Sequence, residues 1–274
     1  MRTPKYLALA CILCLMAQLA IAQDVKEIKL VKADVLEVDE SVDANRLIGN
    51  VIFKHEGALM YCDSAYLFRD NSMKAWGTVR VVQGDSLRLF GDSLHYIGDE
   101  KLAKRRGNVL LVNKDMTLTT NYLDYNRVDG MAYYLGGGKI VNNSERNSLT
   151  SNIGYFFPDQ NRFFFKDSVK LVNPEYTIES DTLMYNTQSE VTYFYGPSTI
   201  TSKDNTIACN SGWYDTANDR SEFTGQAWIE SADSRIGGDS IYYDRKAGIG
   251  KAFGHVTVID STQDLVLSFS LYSV

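Results

Sequence analysis

Residues able to do chemistry are thinly spread along this chain. Its three histidines, His55, His95 and His255, have no His-x-x-x-His spacing, and no Gly-x-Ser-x-Gly elbow, phosphate loop or Cys-x-x-Cys pair occurs. Nucleophilic and metal-assisted catalysis are therefore left without a signature. Carboxylates are too numerous for any one pair to stand out as a glycosidase-like acid and base. The densest basic cluster is Lys101, Lys104, Arg105 and Arg106; it could meet phosphate groups, and the competing reading is a solvated edge or turn. The last candidate is a column of short polar residues: Asp34, Asp63, Asp92, Asn121, Asn152, Asp181, Asn210 and Asp239. Aligned oxygens of this kind can bind Ca²⁺, but calcium β-rolls repeat every nine residues or so. We read the column as structural, with side chains bonding local backbone N–H groups beside bends, and assign no metal.

That column belongs to a longer register. Three positions before its members stand Val31, Met60, Leu89, Leu118, Leu149, Ile178, Ile207 and Ile236, with Leu265 one step beyond. The step is 29 residues throughout except from Leu118 to Leu149, where it is 31. Seven positions after each marker comes Val38, Leu67, Tyr96, Tyr125, Phe156, Tyr185, Tyr214, Tyr243 or Tyr272. Self-similarity at such a period marks an array whose units cannot bury their own apolar face and must stack on neighbours.

The elements that position these columns are β-strands. Gly107–Val112, the turn Asn113-Lys114-Asp115 and Met116–Thr120 form a hairpin pattern, repeated around Gln83-Gly84-Asp85 and Asp260-Ser261-Thr262. β-branched and aromatic residues dominate these runs and helical periodicity is absent. Two strands per unit predict about sixteen antiparallel strands. Apolar parity switches within the second strand of a unit: Leu87 and Leu89 share one face, Leu94 and Tyr96 the other, with the switch at Gly91-Asp92. A bulge or corner there lets a strand bend from one sheet into another while keeping apolar side chains inside. The marker residues, together with Leu94, Leu123, Leu183 and Ile241, then line an apolar interior that is either a groove or a filled core. The tyrosine column reads as a cross-strand aromatic ladder that fixes register.

The first residues read as an export signal over 1–22: Arg2 and Lys5, an apolar run from Tyr6 to Ile21, and the small-x-small site Ala20-Ile21-Ala22. A retained anchor and a lipoprotein at Cys11 or Cys14 are the weighed alternatives. The remainder, 23–274, reads as one repeat domain. Loss of Arg2 and Lys5 from the 28 basic residues leaves 26 against 34 acidic ones, a formal charge of −8, which argues against nucleic acid. Of the cysteines, Cys62 and Cys209 remain, five repeats apart. At about 9.6 Å per two-stranded unit they stand far beyond the roughly 7 Å between Cα atoms that a disulfide needs, so none is expected.

The blocks Gly49-Asn50-Val51, Gly107-Asn108-Val109, Gly91-Asp92-Ser93-Leu94-His95-Tyr96 and Gly238-Asp239-Ser240-Ile241-Tyr242-Tyr243 resemble repeats of the OstA-like family. That family comprises LptA-like periplasmic lipopolysaccharide-transport proteins and the N-terminal domain of LptD. The resemblance covers essentially the whole chain after the signal and implies an elongated antiparallel β-jelly roll, or β-taco, of about eight 29-residue repeats. It also implies a groove that shields the acyl chains of lipid A. On this reading the protein is no enzyme and needs no cofactor. It binds lipopolysaccharide in the periplasm, supports outer-membrane assembly with peripheral contact to that membrane, and pairs head to tail with other transport proteins through its strand edges. Groove candidates are Met60, Leu89, Leu118, Leu149, Ile178, Ile207 and Ile236 with Leu94, Leu123, Leu183 and Ile241; headgroup candidates are Lys101, Lys104, Arg105 and Arg106. The rival expectations are a structural scaffold with a dry core, and a carbohydrate-active repeat protein resembling a parallel β-helix, which parallel stacking would reveal.

Overall fold

Short runs rich in Val, Ile, Thr, Tyr and Phe, each ended by a polar turn, leave this chain little choice but to pair each strand with its sequence neighbour. A computed structural model describes residues 27–270 apart from 86 and 145. The export signal expected over 1–22, and Tyr272, lie outside the described residues. The strands are β1 (Lys29–Lys32), β2 (Val35–Asp39), β3 (Ala44–His55), β4 (Ala58–Phe68), β5 (Met73–Gln83), β6 (Leu87–Ile97), β7 (Leu102–Asn113), β8 (Met116–Asn126) and β9 (Met131–Asn142). After them come β10 (Asn147–Phe157), a single 3₁₀ turn Pro158–Gln160, β11 (Arg162–Val172), β12 (Tyr176–Asn186), β13 (Val191–Ser202), β14 (Asn205–Asp215), β15 (Arg220–Ser231) and β16 (Ser234–Asp244). The series ends with β17 (Ile249–Phe253), β18 (His255–Asp260) and β19 (Leu265–Ser270). Among the described residues no helix is long and apolar enough to cross a membrane.

All 19 strands belong to one open, antiparallel sheet. β1 and β2 both pair with β3, and β17 and β18 both pair with β16, so each couple is a single rung broken at a bend. Taking each couple as one, 19 − 2 gives seventeen rungs where about sixteen were expected. The hairpin turns fall where the sequence placed them, around Gly84, around Lys114 and around Ser261. His55 opposes Ala58 across a two-residue turn, Glu56-Gly57, with φ 46° and 82°. Positive φ at both positions matches the twist of the flanking strands.

Near its middle each odd-numbered strand from β3 to β15 carries one residue more than its partner. Val79 opposes Gly91 and Trp76 opposes Ser93, leaving Gly77-Thr78 against Asp92 alone. The same two-against-one bulge falls at Gly49-Asn50, Gly107-Asn108 and Gly225-Gln226, each with both φ values positive. This is the corner that the parity switch predicts. The Asp column sits over it: the Asp92 carboxylate occupies the space a Cβ would need at Gly107. At Gly107, φ +73° and that contact together require glycine. Asp92 also accepts a hydrogen bond from Asn108 Nδ2 at 2.8 Å, and Asp34 accepts one from Asn50 at 2.7 Å. Where glycine is missing, Asp167-Ser168 holds the corner at φ 62° and 57°, with Asn152 donating to Asp167 at 3.0 Å.

The corner divides each strand into a marker limb and a tyrosine limb. On the tyrosine limb the aromatics do not form the continuous ladder expected from one column. The register runs Met73, Tyr96, Ala103, Tyr125, Ala132, so a small residue separates one tyrosine from the next.

Contacts cluster into two compact bodies. The first holds the described residues up to 144 with 153–160, the second 146–152 with 161 onward. In the first, an apolar cluster joins both limbs: Phe53 and Met60 of the marker limb pack with Leu47, Ala65, Met73, Ala75, Leu94 and Tyr96. In the second, Phe163 stacks on Phe165 at 6.0 Å and Phe194 meets Phe223 at 6.3 Å. Those two rings flank Gly212, where a Cβ would press into the Glu222 carbonyl at 2.5 Å.

Candidate binding interior

Inward-facing marker residues line up across the strands because antiparallel pairing places them in register with the apolar residue of each intervening strand. In the first body the marker ladder is Phe53, Met60, Val81, Leu89, Leu111, Leu118, Ile140, unbroken from β3 to β9. In the second it is Leu171, Ile178, Ile200, Ile207, Ile229, Ile236, Val258, Leu267, unbroken from β11 to β19. Leu149 is buried on β10. The structure thus gathers Met60, Leu89, Leu118, Ile178, Ile207 and Ile236 into continuous apolar surfaces, whereas the last marker, Leu265, opposes Asp260 and Leu267 takes its rung. Sequence reasoning missed the intervening partners, whose spacing is less regular.

The two ladders differ in access. In the first, Phe53, Met60, Leu111 and Ile140 are buried and Val81, Leu89 and Leu118 partly so; in the second, Ile178 alone is buried, the other rungs are half-buried, and Ile236 and Leu267 reach 38 % and 45 % exposure. An aliphatic row facing the inside of a bend yet reached by water is a surface that an apolar ligand can cover.

The tyrosine limbs supply the opposite wall. In the second body it reads Phe165, Leu183, Phe194, Gly212, Phe223, Ile241, Ala252, with both candidates, Leu183 and Ile241, buried. In the first it reads Leu47, Ala65, Ala75, Leu94, Arg105, Leu123. Leu94 is buried and Leu123 half-buried.

Strand alternation splits the basic cluster that reads as one patch in sequence. Lys101 sits in the turn before β7 with φ 50°, its N–H donating to the Gly98 carbonyl at 3.2 Å. Lys104 and Arg106 face outward. Arg106 makes a two-pronged ion pair with Asp124, its Nη2 at 3.0 Å from Oδ2, and lies 5.3 Å from the Tyr122 ring centre. Arg105 faces inward and is 2 % exposed, so the solvated-edge reading fails for this residue. Its Nη2 donates to the Leu89 carbonyl at 3.1 Å, while Nε and Nη1, both buried, have no partner. Burial pulls its guanidinium down to about 10, still protonated at neutral pH. Cys62 is its titratable neighbour, and burial pushes that thiol up to about 11, leaving it neutral. Cys209 is likewise buried, free and pushed up to about 11.

At the rim of the first body the two limbs meet. Glu56, in the turn ending the marker limb of β3, pairs with Arg127 at 2.7 Å, just past the tyrosine limb of β8. His55 lies beside Tyr96, ring centres 5.5 Å apart. Among the described residues, the ion pairs of the second body, Lys170–Glu179, Arg220–Asp244 and Asp239–His255, each join strands adjacent in the sheet.

Sequence reasoning also missed a column of turn-forming side chains eight positions after the marker. Asn126, Asn186, Asp215 and Asp244 each accept backbone N–H groups two or three residues on. The Ala247 N–H holds Asp244 below the usual carboxylate range. Burial pushes Asp215 up, but the Asn218 hydrogen bonds outweigh it and the net direction is down. Asp260, bonded first by the Thr262 hydroxyl, is lowered too. A separate outward concavity of about 430 Å³ lies between Trp228, Arg235 and Thr257, with Arg235 4.4 Å from the Trp228 ring centre. It presents no aliphatic ladder.

Among solved structures, one similar to this chain is LptH, the LptA-homologous periplasmic component of the lipopolysaccharide transport device of Pseudomonas aeruginosa. The TM-score is 0.35 at 19 % identity, covering 39 % of this chain and 79 % of that one. The TCP10 domain of Danio rerio CPAP, as a point mutant, gives a TM-score of 0.22 at 12 % identity, covering 76 % and 99 %. Comparison with curated protein sequences finds no match. The family model for OstA-like protein matches residues 25–181, more than half of the chain, and the protein therefore belongs to the OstA-like family.

Proposed function

We propose that this protein is a non-enzymatic periplasmic carrier that binds lipopolysaccharide through the acyl chains of lipid A and supports its transport to, and assembly of, the outer membrane. Family membership supports the role in lipopolysaccharide transport. The observation that carries the finer reading is the marker ladder of the second body, eight aliphatic rungs of which Ile178 alone is buried and Ile236 and Leu267 are the most exposed. Each methylene removed from water contributes about 0.8 kcal/mol, so several acyl chains are held firmly. Chemically equivalent rungs let them slide without a large barrier, and no covalent step is needed.

A cleaved export signal over 1–22 and a single repeat domain over 23–274 complete the proposal. Exposed apolar strands, β2 with Val35, Leu36 and Val38 and β19 with Val266, Leu267 and Phe269, suit strand-to-strand pairing with other transport proteins.

The test is photocrosslinking from Met60, Leu118, Ile207 and Ile236 to labelled lipopolysaccharide. We expect adducts at the half-exposed marker positions and least at buried Met60. Uniform failure with folded protein would sink the groove. The scaffold reading draws support from the cluster around Phe53 and Leu94, where both limbs pack against each other. The parallel β-helix reading loses its premise, since every pairing described is antiparallel.

A further inference from the structure

Arg46, Arg69, Arg106, Arg127 and Arg220 each pair with a carboxylate. Arg105 is buried more deeply than any of them and has none among the described residues. A guanidinium does not shed its proton to escape burial, and an unpaired charge in an apolar setting is costly. Its surroundings offer little compensation: Leu94 and Leu123 oppose it across the sheet, Cys62 is a neutral thiol, and one carbonyl accepts from Nη2. Its stem lies beside Gly91, where a Cβ would be in ordinary van der Waals contact, 3.7 Å from Arg105 Cδ. The unmet Nε and Nη1 donors therefore lie inside the bend, on the wall that faces the marker ladder.

We propose that Arg105 is an anion anchor within the interior: its free donors take one anionic oxygen group, phosphate or carboxylate, of an amphiphile whose hydrocarbon lies along the aliphatic ladders of the first body. This rests on the reading of that interior as an acyl-chain site. Bound this way, the anion supplies the counter-charge that the fold withholds, and its hydrogen bonds to a charged donor are of the strong class. A ligand with the same chain and no charge leaves the donors unmet, so the site discriminates by headgroup as well as by chain. Arg105 thereby fixes where along the sheet a headgroup stops, which a uniform aliphatic row does not do.

The experiment uses the whole mature chain, with dodecyl phosphate, dodecanol and inorganic phosphate as probes in equilibrium dialysis. We expect dodecyl phosphate to bind at least tenfold more tightly than dodecanol, and inorganic phosphate far more weakly than either. In Arg105→Gln the preference should fall to about one while dodecanol affinity holds, and Arg105→Lys should keep part of it. Equal binding of the two amphiphiles by the unmodified protein overturns the anchor and leaves the acyl-chain site standing, a result that needs no variant to fold. Binding of neither overturns both. Inorganic phosphate binding as tightly as dodecyl phosphate makes this a free-anion site and overturns the amphiphile. A preference that survives Arg105→Gln places the headgroup elsewhere and also overturns the proposal.

Discussion

The two bodies are built from the same repeat yet treat their interiors differently. In the first, the limbs pack together around Phe53 and Leu94, and Glu56–Arg127 ties one rim to the other. In the second, phenylalanines seal the tyrosine limb while the marker limb is open to water at Ile236 and Leu267. Corners and hydrogen-bond registers are shared, so they do not cause the difference. It lies in what fills the limbs and whether the rims are joined. One scaffold thus supports an interior whose two limbs touch and one with a more accessible apolar face by exchanging side chains alone.

Removing a ring from the sealed wall is the harshest test. Phe194→Ala, 1 % exposed beside Phe223, should cost roughly 3–5 kcal/mol in urea denaturation. Next come the corners: Gly107→Ala in the first body and Gly225→Ala in the second should each lose about 2 kcal/mol, because both residues have positive φ and face the Asp/Asn column. A large inequality between them would locate the difference in the corners after all. Arg127→Gln, which leaves Glu56 half-buried without its cation, should cost about 1–3 kcal/mol. Hydrogen exchange should quicken around His55 and Tyr96 and stay unchanged in the second body. Ile236→Ala, at 38 % exposure, should lose less than about 1 kcal/mol; a loss equal to that of Phe194→Ala would mean the marker limb is packed rather than open.

The smallest effect is with acid. A carboxylate held below its ordinary value contributes stability above that value and loses it as pH falls through 3.8 toward the lowered one. Asp215, Asp244 and Asp260 belong to the second body and Asp39 to the first. Amide protection factors, taken against the intrinsic rate at each pH, should therefore fall first in the second body between pH 6 and pH 3. Asp244→Asn should flatten that response.

Much of this was legible in the sequence, for a definite reason. A period-2 pattern broken at Gly91-Asp92 reports both a strand and its bend, and the repeat multiplies that signal across the chain. Arg105 was not legible. Its inward neighbour is the small Ala103, so the run from Lys101 to Arg106 lacks the apolar alternation that would show which side faces in. The Glu56–Arg127 pair joins residues 71 apart and exists only because the sheet folds over. The tyrosine spacing misled because a column read every 29 residues omits the strand between, where Ala103 and Ala132 take up the room.

The strand order has a consequence for how the chain reaches this state. Nearly every strand finds its partner immediately next to it in sequence, so each closure spans a short loop and gains a full ladder at once. Folding can then advance as a zipper, each new hairpin using the last strand laid down as its template. A polypeptide delivered end first, as through a secretion channel, meets its folding requirements in the order in which it emerges.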